Sequence, residues 1–165
     1  MNYREECCDL FDYYDKGYKL VQCLSADLVA GAGIAVLFNK KLDMKNKLKL
    51  RYPYGVYFRF DNTLTFLPHC VYEENTFNLI TKDKVWDKPT YENLELCLKI
   101  MKLSIGELWK QGIYCDKIAM PLIGCGIDGL EWKNVRQIVK DLFDEFNIEI
   151  VVCYLDKDKD KVLDE

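Results

Sequence analysis

The chain has 165 residues, half of them hydrophobic and 13% aromatic, with a formal net charge of −4. That describes one ordinary domain, too apolar to stay disordered and long enough to bury about 68–70% of its unfolded surface without staples. The acidic balance argues against broad, sequence-blind nucleic-acid binding, which draws on many Lys and Arg contacts to phosphate. It leaves room for a small pocket that holds one diphosphate.

In chain order, short apolar or alternating runs predict strands at 3–8, 18–24, 55–60, 64–71, 77–81, 117–121 and 148–155. The last run is almost continuously apolar, as a strand buried on both faces of a parallel sheet must be. Helices are predicted between them. Residues 31–42 place Ile34, Leu37, Phe38 and Leu42 near one face. Residues 90–110 place Leu94, Cys97, Met101, Ile105 and Leu108 on another, with Thr90 as N-cap and Gly112 as stop. Residues 129–146 align Val135, Ile138, Leu142 and Phe146. Strands alternating with helices indicate an α/β sandwich with a partly parallel sheet. Ligands of such sheets gather beyond the carboxyl ends of the strands. Residues 156–161 alternate Asp and Lys, so 156–165 is expected to be a frayed, charged tail behind a domain at 1–155.

Eight cysteines would suggest disulfides in a short secreted chain. The start, Met1 to Glu6, is charged, so no signal peptide is expected. No CxxC pair occurs, and Cys23, Cys97 and Cys153 lie in apolar runs where a free thiol acts as a small hydrophobe. A cytoplasmic setting is expected, with no metal site and no membrane span.

Two glycine-rich segments each follow a strand and precede a helix. The first runs from Ser25 through Asp27 to Gly31-Ala32-Gly33-Ile34. The second is Pro121-Leu122-Ile123-Gly124-Cys125-Gly126-Ile127-Asp128. Glycines let backbone N–H groups approach an anion, and the helix start adds positive partial charge. Two such loops can clamp a diphosphate from both sides. Neither fits a Walker loop or the Gly-x-Gly-x-x-Gly dinucleotide pattern.

Four blocks then stand in order: Gly31-Ala32-Gly33-Ile34-Ala35-Val36-Leu37-Phe38; Leu79-Ile80-Thr81-Lys82; Lys88-Pro89-Thr90-Tyr91-Glu92-Asn93-Leu94; and Ile123-Gly124-Cys125-Gly126-Ile127-Asp128 with Trp132 and Asn134 behind it. Over about 8–155 they resemble the macrodomain of terminal ADP-ribose protein glycohydrolases. The resemblance implies a three-layer α/β/α sandwich around a mixed, mostly six-stranded sheet. It places Asp9 at the adenine, with Leu10 and Leu155 nearby, although Cys8 stands where relatives carry glycine. It lays Gly31, Ala32, Gly33 and Ile34 on one side of the diphosphate and Gly124, Cys125, Gly126 and Ile127 on the other. Ser25 and Asp27 come near the distal ribose, and Thr81 joins the ligand-binding set. The catalytic Asn common in other macrodomain hydrolases is absent, which fits the class that uses a lysine. Lys82 would then be the nucleophile and Asp128 the general acid and base.

The implied ligands are ADP-ribose and mono-ADP-ribosylated protein, with release from Glu or Asp esters, by a monomer without a cofactor. The alternatives are ADP-ribosylated DNA as the substrate, as in antitoxin macrodomains, and a reader without turnover. Local pattern offers plainer roles for the same residues. Asp9 can cap a helical turn, Lys82-Asp83-Lys84 resembles a solvated turn, and Asp128-Gly129-Leu130-Glu131 fits a capping box. Cys125 sits where a helix start could activate a thiol, but close approach to phosphate explains it better. His69, the sole histidine, has no triad partners in sequence.

Overall fold

The computed structural model describes residues 1–163. In chain order the elements are β1 (Asn2–Cys7), α1 (Leu10–Asp15), β2 (Lys19–Ser25), α2 (Ala35–Leu42), α3 (Met44–Arg51), β3 (Phe58–Phe60) and β4 (Thr63–Thr65). There follow β5 (His69–Glu73), β6 (Thr76–Lys82), α4 (Tyr91–Lys110), β7 (Lys117–Met120), α5 (Trp132–Phe143) and β8 (Glu149–Tyr154). A 3-10 turn (Asp156–Asp158) then leads into α6 (Lys159–Leu163). Six strands form one mixed sheet in the order β1-β8-β7-β2-β6-β5. All neighbours are parallel except β5, which runs antiparallel to β6 at the edge.

Alternation along the strands builds two cores. Val21, Phe77, Leu79, Ile118, Met120, Ile150 and Val152 face one side, where they meet Leu94, Leu98 and Met101 of α4 and Trp132, Val135 and Val139 of α5. Leu20, Leu24, Ile80, Ala119 and Val151 face the other, against Leu10 and Phe11 of α1, Phe38 of α2 and Met44 and Leu48 of α3. This is the expected three-layer sandwich. A strand with apolar groups on both faces is stable only when both faces are covered. Among the described residues no helix is long and apolar enough to cross a membrane.

Several elements depart from expectation. The run at 64–71 breaks at Pro68, which cannot donate to a ladder, and the pieces part. Its first half pairs with β3 as a separate two-stranded hairpin, and its second half is β5. The glycine loops delay both helices that follow them. Left-handed Gly33 (φ +63°) precedes α2, and left-handed Gly129 (φ +80°) precedes α5. Asp128 therefore does not cap α5; Glu131 holds the N-cap position, with no side-chain cap bond. Thr90 does cap α4, accepting from Asn93 N at 3.1 Å. His69 stacks edge-on against Phe58 in the β5 region, with ring centroids 5.2 Å apart.

The segment expected to fray forms the 3-10 turn and α6 over 156–163; Asp164 and Glu165 lie outside the described residues. Val162 is buried, which supplies the apolar anchor that a purely charged segment would lack. Arg136 of α5 donates to the Val162 carbonyl at 2.6 Å and grips Glu5 of β1 through Nε (2.7 Å) and a terminal nitrogen (2.9 Å). Trp132 Nε1 donates to the same carboxylate at 3.0 Å. One carboxylate thus ties the edge strand to α5, and its arginine ties α5 to α6.

Burial pushes the Glu5 carboxyl up, but the bonds from Arg136, Tyr3 and Trp132 more than offset it, and the net shift is downward. A lowered folded value gives stability that is present above the ordinary 4.5 and is lost as pH falls through the folded value. Glu5→Gln is expected to lower unfolding free energy at neutral pH by about 2 kcal/mol. In urea titrations the gap between variant and wild type should close on acidification below 4.5. A gap indifferent to acid would show that the charge of this carboxylate is not what holds the corner.

Candidate active site

Five parallel strands end on one edge of the sheet, and the loops leaving them enclose a cleft of about 660 Å³. This is within the usual range for a small-ligand site. Asp9 and Leu10 come to it from β1, Ser25 from β2, Lys82 from β6, and Leu155 from β8. Gly31, Ala32, Gly33 and Ile34 line one wall; Gly124, Cys125, Gly126, Ile127 and Asp128 line the other. The two walls meet overhead: a Cβ on Gly33 would lie 3.8 Å from Ile127 Cδ1.

The backbone of both loops is turned the same way. In the first, Leu28 and Ala30 adopt left-handed conformations (φ +56° and +47°), uncommon for residues with a side chain. The carbonyls there are held from behind: Lys45 Nζ donates to Val29 O at 2.8 Å and Asn39 Nδ2 to Ala30 O at 2.9 Å. The N–H groups of Gly31, Ala32, Gly33 and Ile34 have no acceptor among the described residues. In the second loop, the carbonyls of Gly124 and Gly126 accept from Leu130 N (2.9 Å) and Gly129 N (3.1 Å). Those of Cys125 and Ile127 accept from Lys161 Nζ (3.2 Å) and Lys88 Nζ (2.5 Å). The N–H groups of Gly126, Ile127 and Asp128 again have no acceptor among the described residues. Two facing rows of unmatched donors make a cradle for an anion.

Beyond the cradle, Lys82 Nζ donates to Asp128 Oδ1 at 2.7 Å, with the two side chains only 10% and 16% exposed. Lys82 is therefore no solvated turn residue. The Gly129 turn frees Asp128 from the helix it was expected to cap and lets it face a lysine 46 residues away. The strand ends here are fixed by a register shift after Leu24, which sets Ser25 opposite Lys82. Gly55 (φ +97°) packs under this corner: a Cβ there would strike the Ala26 carbonyl at 2.5 Å, so only glycine fits.

Asp9 caps α1, accepting from Phe11 N at 2.9 Å, and also lines the cleft. Two expected residues do not reach the cleft wall. Asp27 is spent on its own loop and on the loop at 83–89, accepting from Ser25 Oγ (2.5 Å), Val29 N (3.3 Å) and Val85 N (2.9 Å). Burial raises its carboxyl, but those bonds bring the net shift down. Thr81 points to the opposite face of β6 from Lys82, as strand alternation requires, and is buried. The Cys125 thiol is no nucleophile: burial pushes it up to about 12, and it donates to Ile123 O at 3.3 Å.

Residues that sequence reasoning missed come from both ends. Cys8, Tyr154, Lys157, Asp158 and Lys161 line the cleft around its β1–β8 side. The signal for the last three was Val162, an apolar residue in an otherwise charged tail. Tyr91, quoted above only as part of a motif, proves to be a brace. Its hydroxyl accepts from Glu131 N (3.0 Å) and Asn134 Nδ2 (3.2 Å), locking the exit of the second loop onto α4.

No protein-family model matches the chain. It is 37% identical over 140 residues to ADP-ribose glycohydrolase OARD1 of Bos taurus, covering 82% of this chain and 81% of that protein. Among solved structures, the macrodomain of Mycobacterium tuberculosis DarG matches with a TM-score of 0.65 at 19% identity, over 93% of this chain and 97% of that one. Thermosipho africanus DarTG, solved in complex with ADP-ribose, matches with a TM-score of 0.60 at 19% identity, over 95% of this chain and 42% of that one. The structural matches show a shared macrodomain fold. On the identity and extent of the sequence match, the chain belongs to the OARD1 family of ADP-ribose glycohydrolases.

Proposed function

We propose that the cleft binds ADP-ribose and that Lys82 and Asp128 hydrolyse the ester joining a single ADP-ribose to a Glu or Asp side chain. The observation that carries this is the ammonium–carboxylate contact of 2.7 Å at the end of a cradle built of backbone donors. Asp9 would receive the adenine amino group, the two loops the diphosphate, and Lys82 the distal ribose. Membership of a glycohydrolase family supports turnover over simple reading.

The chemistry follows from the pair. A lysine attacks only as the neutral amine. Asp128 accepts the Lys82 proton, and the amine attacks the anomeric carbon. The bond from that carbon to the ester oxygen breaks with its electron pair, and the protein carboxylate leaves. A carboxylate departs without being protonated, so one carboxyl group suffices for the site; this favours acidic side chains as the attachment point. As the ring carbon–oxygen bond breaks, one proton moves from the nitrogen to the ring oxygen, which leaves a protonated imine, and the proton held by Asp128 passes to solvent. Asp128, a carboxylate again, takes a proton from water, whose hydroxide adds to the imine carbon. The carbon–nitrogen bond then breaks, the proton returns to Lys82, and ADP-ribose departs.

A second reading has one specific observation behind it. The loop at 83–89 spans the Lys82 end of the cleft, with Val85 N bound to Asp27 and Lys88 to Ile127. Trp86, 75% exposed, stands on it. An open indole suits stacking on a base, so a modified nucleobase is the alternative leaving group.

A panel of Glu-modified protein and ADP-ribosylated thymidine or guanosine oligonucleotide separates the two substrates, with release of ADP-ribose as the readout. Lys82→Ala should bind ADP-ribose within about threefold of wild type by calorimetry and lose turnover by about a thousandfold. Full activity in that variant would refute the lysine mechanism; equal inactivity of the wild type would leave a reader. Gly33→Val should weaken ADP-ribose binding about tenfold. A β-branched residue is strained at φ +63° and would crowd Ile127, at a cost of about 1–3 kcal/mol. Unchanged affinity would show that the first loop does not close on the ligand.

A further inference from the structure

The cleft has few cations for a ligand that carries a diphosphate. Lys82 is engaged with Asp128 at the ribose end. The other cationic residues in its wall, Lys157 and Lys161, come from the last turns of the chain, not from either glycine loop. We infer that this C-terminal segment completes the diphosphate site, with Lys161 as a direct ligand of the phosphates. The inference rests on the proposed ADP-ribose reading of the cleft and adds a subsite to it.

The geometry supports contact. An ammonium has three donors. Lys161 Nζ spends one on the Cys125 carbonyl at 3.2 Å, in the middle of the second loop, and one on Asp158 Oδ1 at 3.2 Å. The third has no acceptor among the described residues, and the side chain lines the cleft. Its position against Cys125 puts it beside the unmatched N–H groups of Gly126 and Ile127. Of the residues this segment places in the cleft wall, two are ammonium groups and one is a carboxylate, Asp158, to which Lys161 is already paired. The segment is fastened at its far end by Arg136 on the Val162 carbonyl at 2.6 Å and by burial of Val162. Lys161 is thus held in place, not trailing in solvent.

The test uses the full chain, with calorimetry for ADP-ribose and NMR shift titration for adenosine, which has no phosphate. Lys161→Gln should weaken ADP-ribose about fivefold, the scale of one partly exposed charge-assisted bond. It should leave adenosine binding and melting temperature unchanged. The wild-type advantage should shrink at high salt, since exposed charges are screened. Lys161→Arg should restore most of the affinity, and Lys159→Gln, which removes a charge from the same turn outside the cleft, should change nothing. If Lys161→Gln bound ADP-ribose as tightly as wild type, or lost adenosine equally, the lysine would be only a brace for the loop and the inference would fall. Failure of the wild type itself to bind ADP-ribose would instead overturn the proposed function, and this subsite with it.

Discussion

Every backbone carbonyl and N–H in a folded chain must be matched, and both glycine loops leave a run of N–H groups without an acceptor among the described residues. The carbonyls of Val29, Ala30, Gly124, Cys125, Gly126 and Ile127 are taken up by side chains or by later turns of the chain. The N–H groups of residues 31–34 and 126–128 are left without an acceptor among the described residues. Asn39, Lys45 and Lys88 each donate to a loop carbonyl from outside the cleft, and Lys161 donates to one from the cleft wall. Such donors do more than stiffen the loops. By taking up these acceptors they leave the loops with an excess of open donors, and an excess of donors favours an anion. Much of the molecule outside the sheet serves this arrangement: α2 and α3 behind the first loop, α4, α5 and α6 behind the second.

The sheet was legible in the sequence because its strands are buried on both faces. Ile150 to Cys153 form a continuous apolar run, and so do the residues at the end of β7. The helix α4 was legible from its spacing of three and four. By contrast α3 turns only Met44 and Leu48 into the core, one contact per turn in a lysine-rich stretch, and shows no periodic stripe. The tail failed for a related reason. Alternating Asp and Lys describe its solvent side well, while its attachment depends on Val162 and on an arginine 26 residues earlier in the chain.

At the site, local patterns identified the loops but not their orientation. Glycine spacing shows where the chain can bend; it does not show which donors hold the carbonyls, because those lie 9 to 39 residues away. The acidic residues show the same division. Asp128 satisfied a capping pattern that the structure does not use, because the left-handed Gly129 postpones the helix. Asp27, expected near the ribose, is spent on Ser25 and Val29 in its own loop and on Val85 in a loop 58 residues away. Family resemblance placed Lys82 and Asp128 together where spacing could not, since nothing in the 45 residues between them points one at the other.

The Lys82–Asp128 pair is itself an argument about function. Withdrawing both charges from water costs several kcal/mol per ion, and their mutual attraction seldom returns more than that, so an apolar pair of similar volume would serve folding as well or better. Neither partner is engaged in capping, and neither braces a loop carbonyl. The pair lies where the cleft ends, in line with the open donors, and its proton has only one short path to travel. A buried ion pair at the end of a row of open donors is the arrangement that the proposed reaction requires of Lys82 and Asp128. The same reasoning separates it from Glu5–Arg136, an ion pair of similar burial but remote from the cleft, whose three-way contact with Trp132 and Val162 accounts for it structurally.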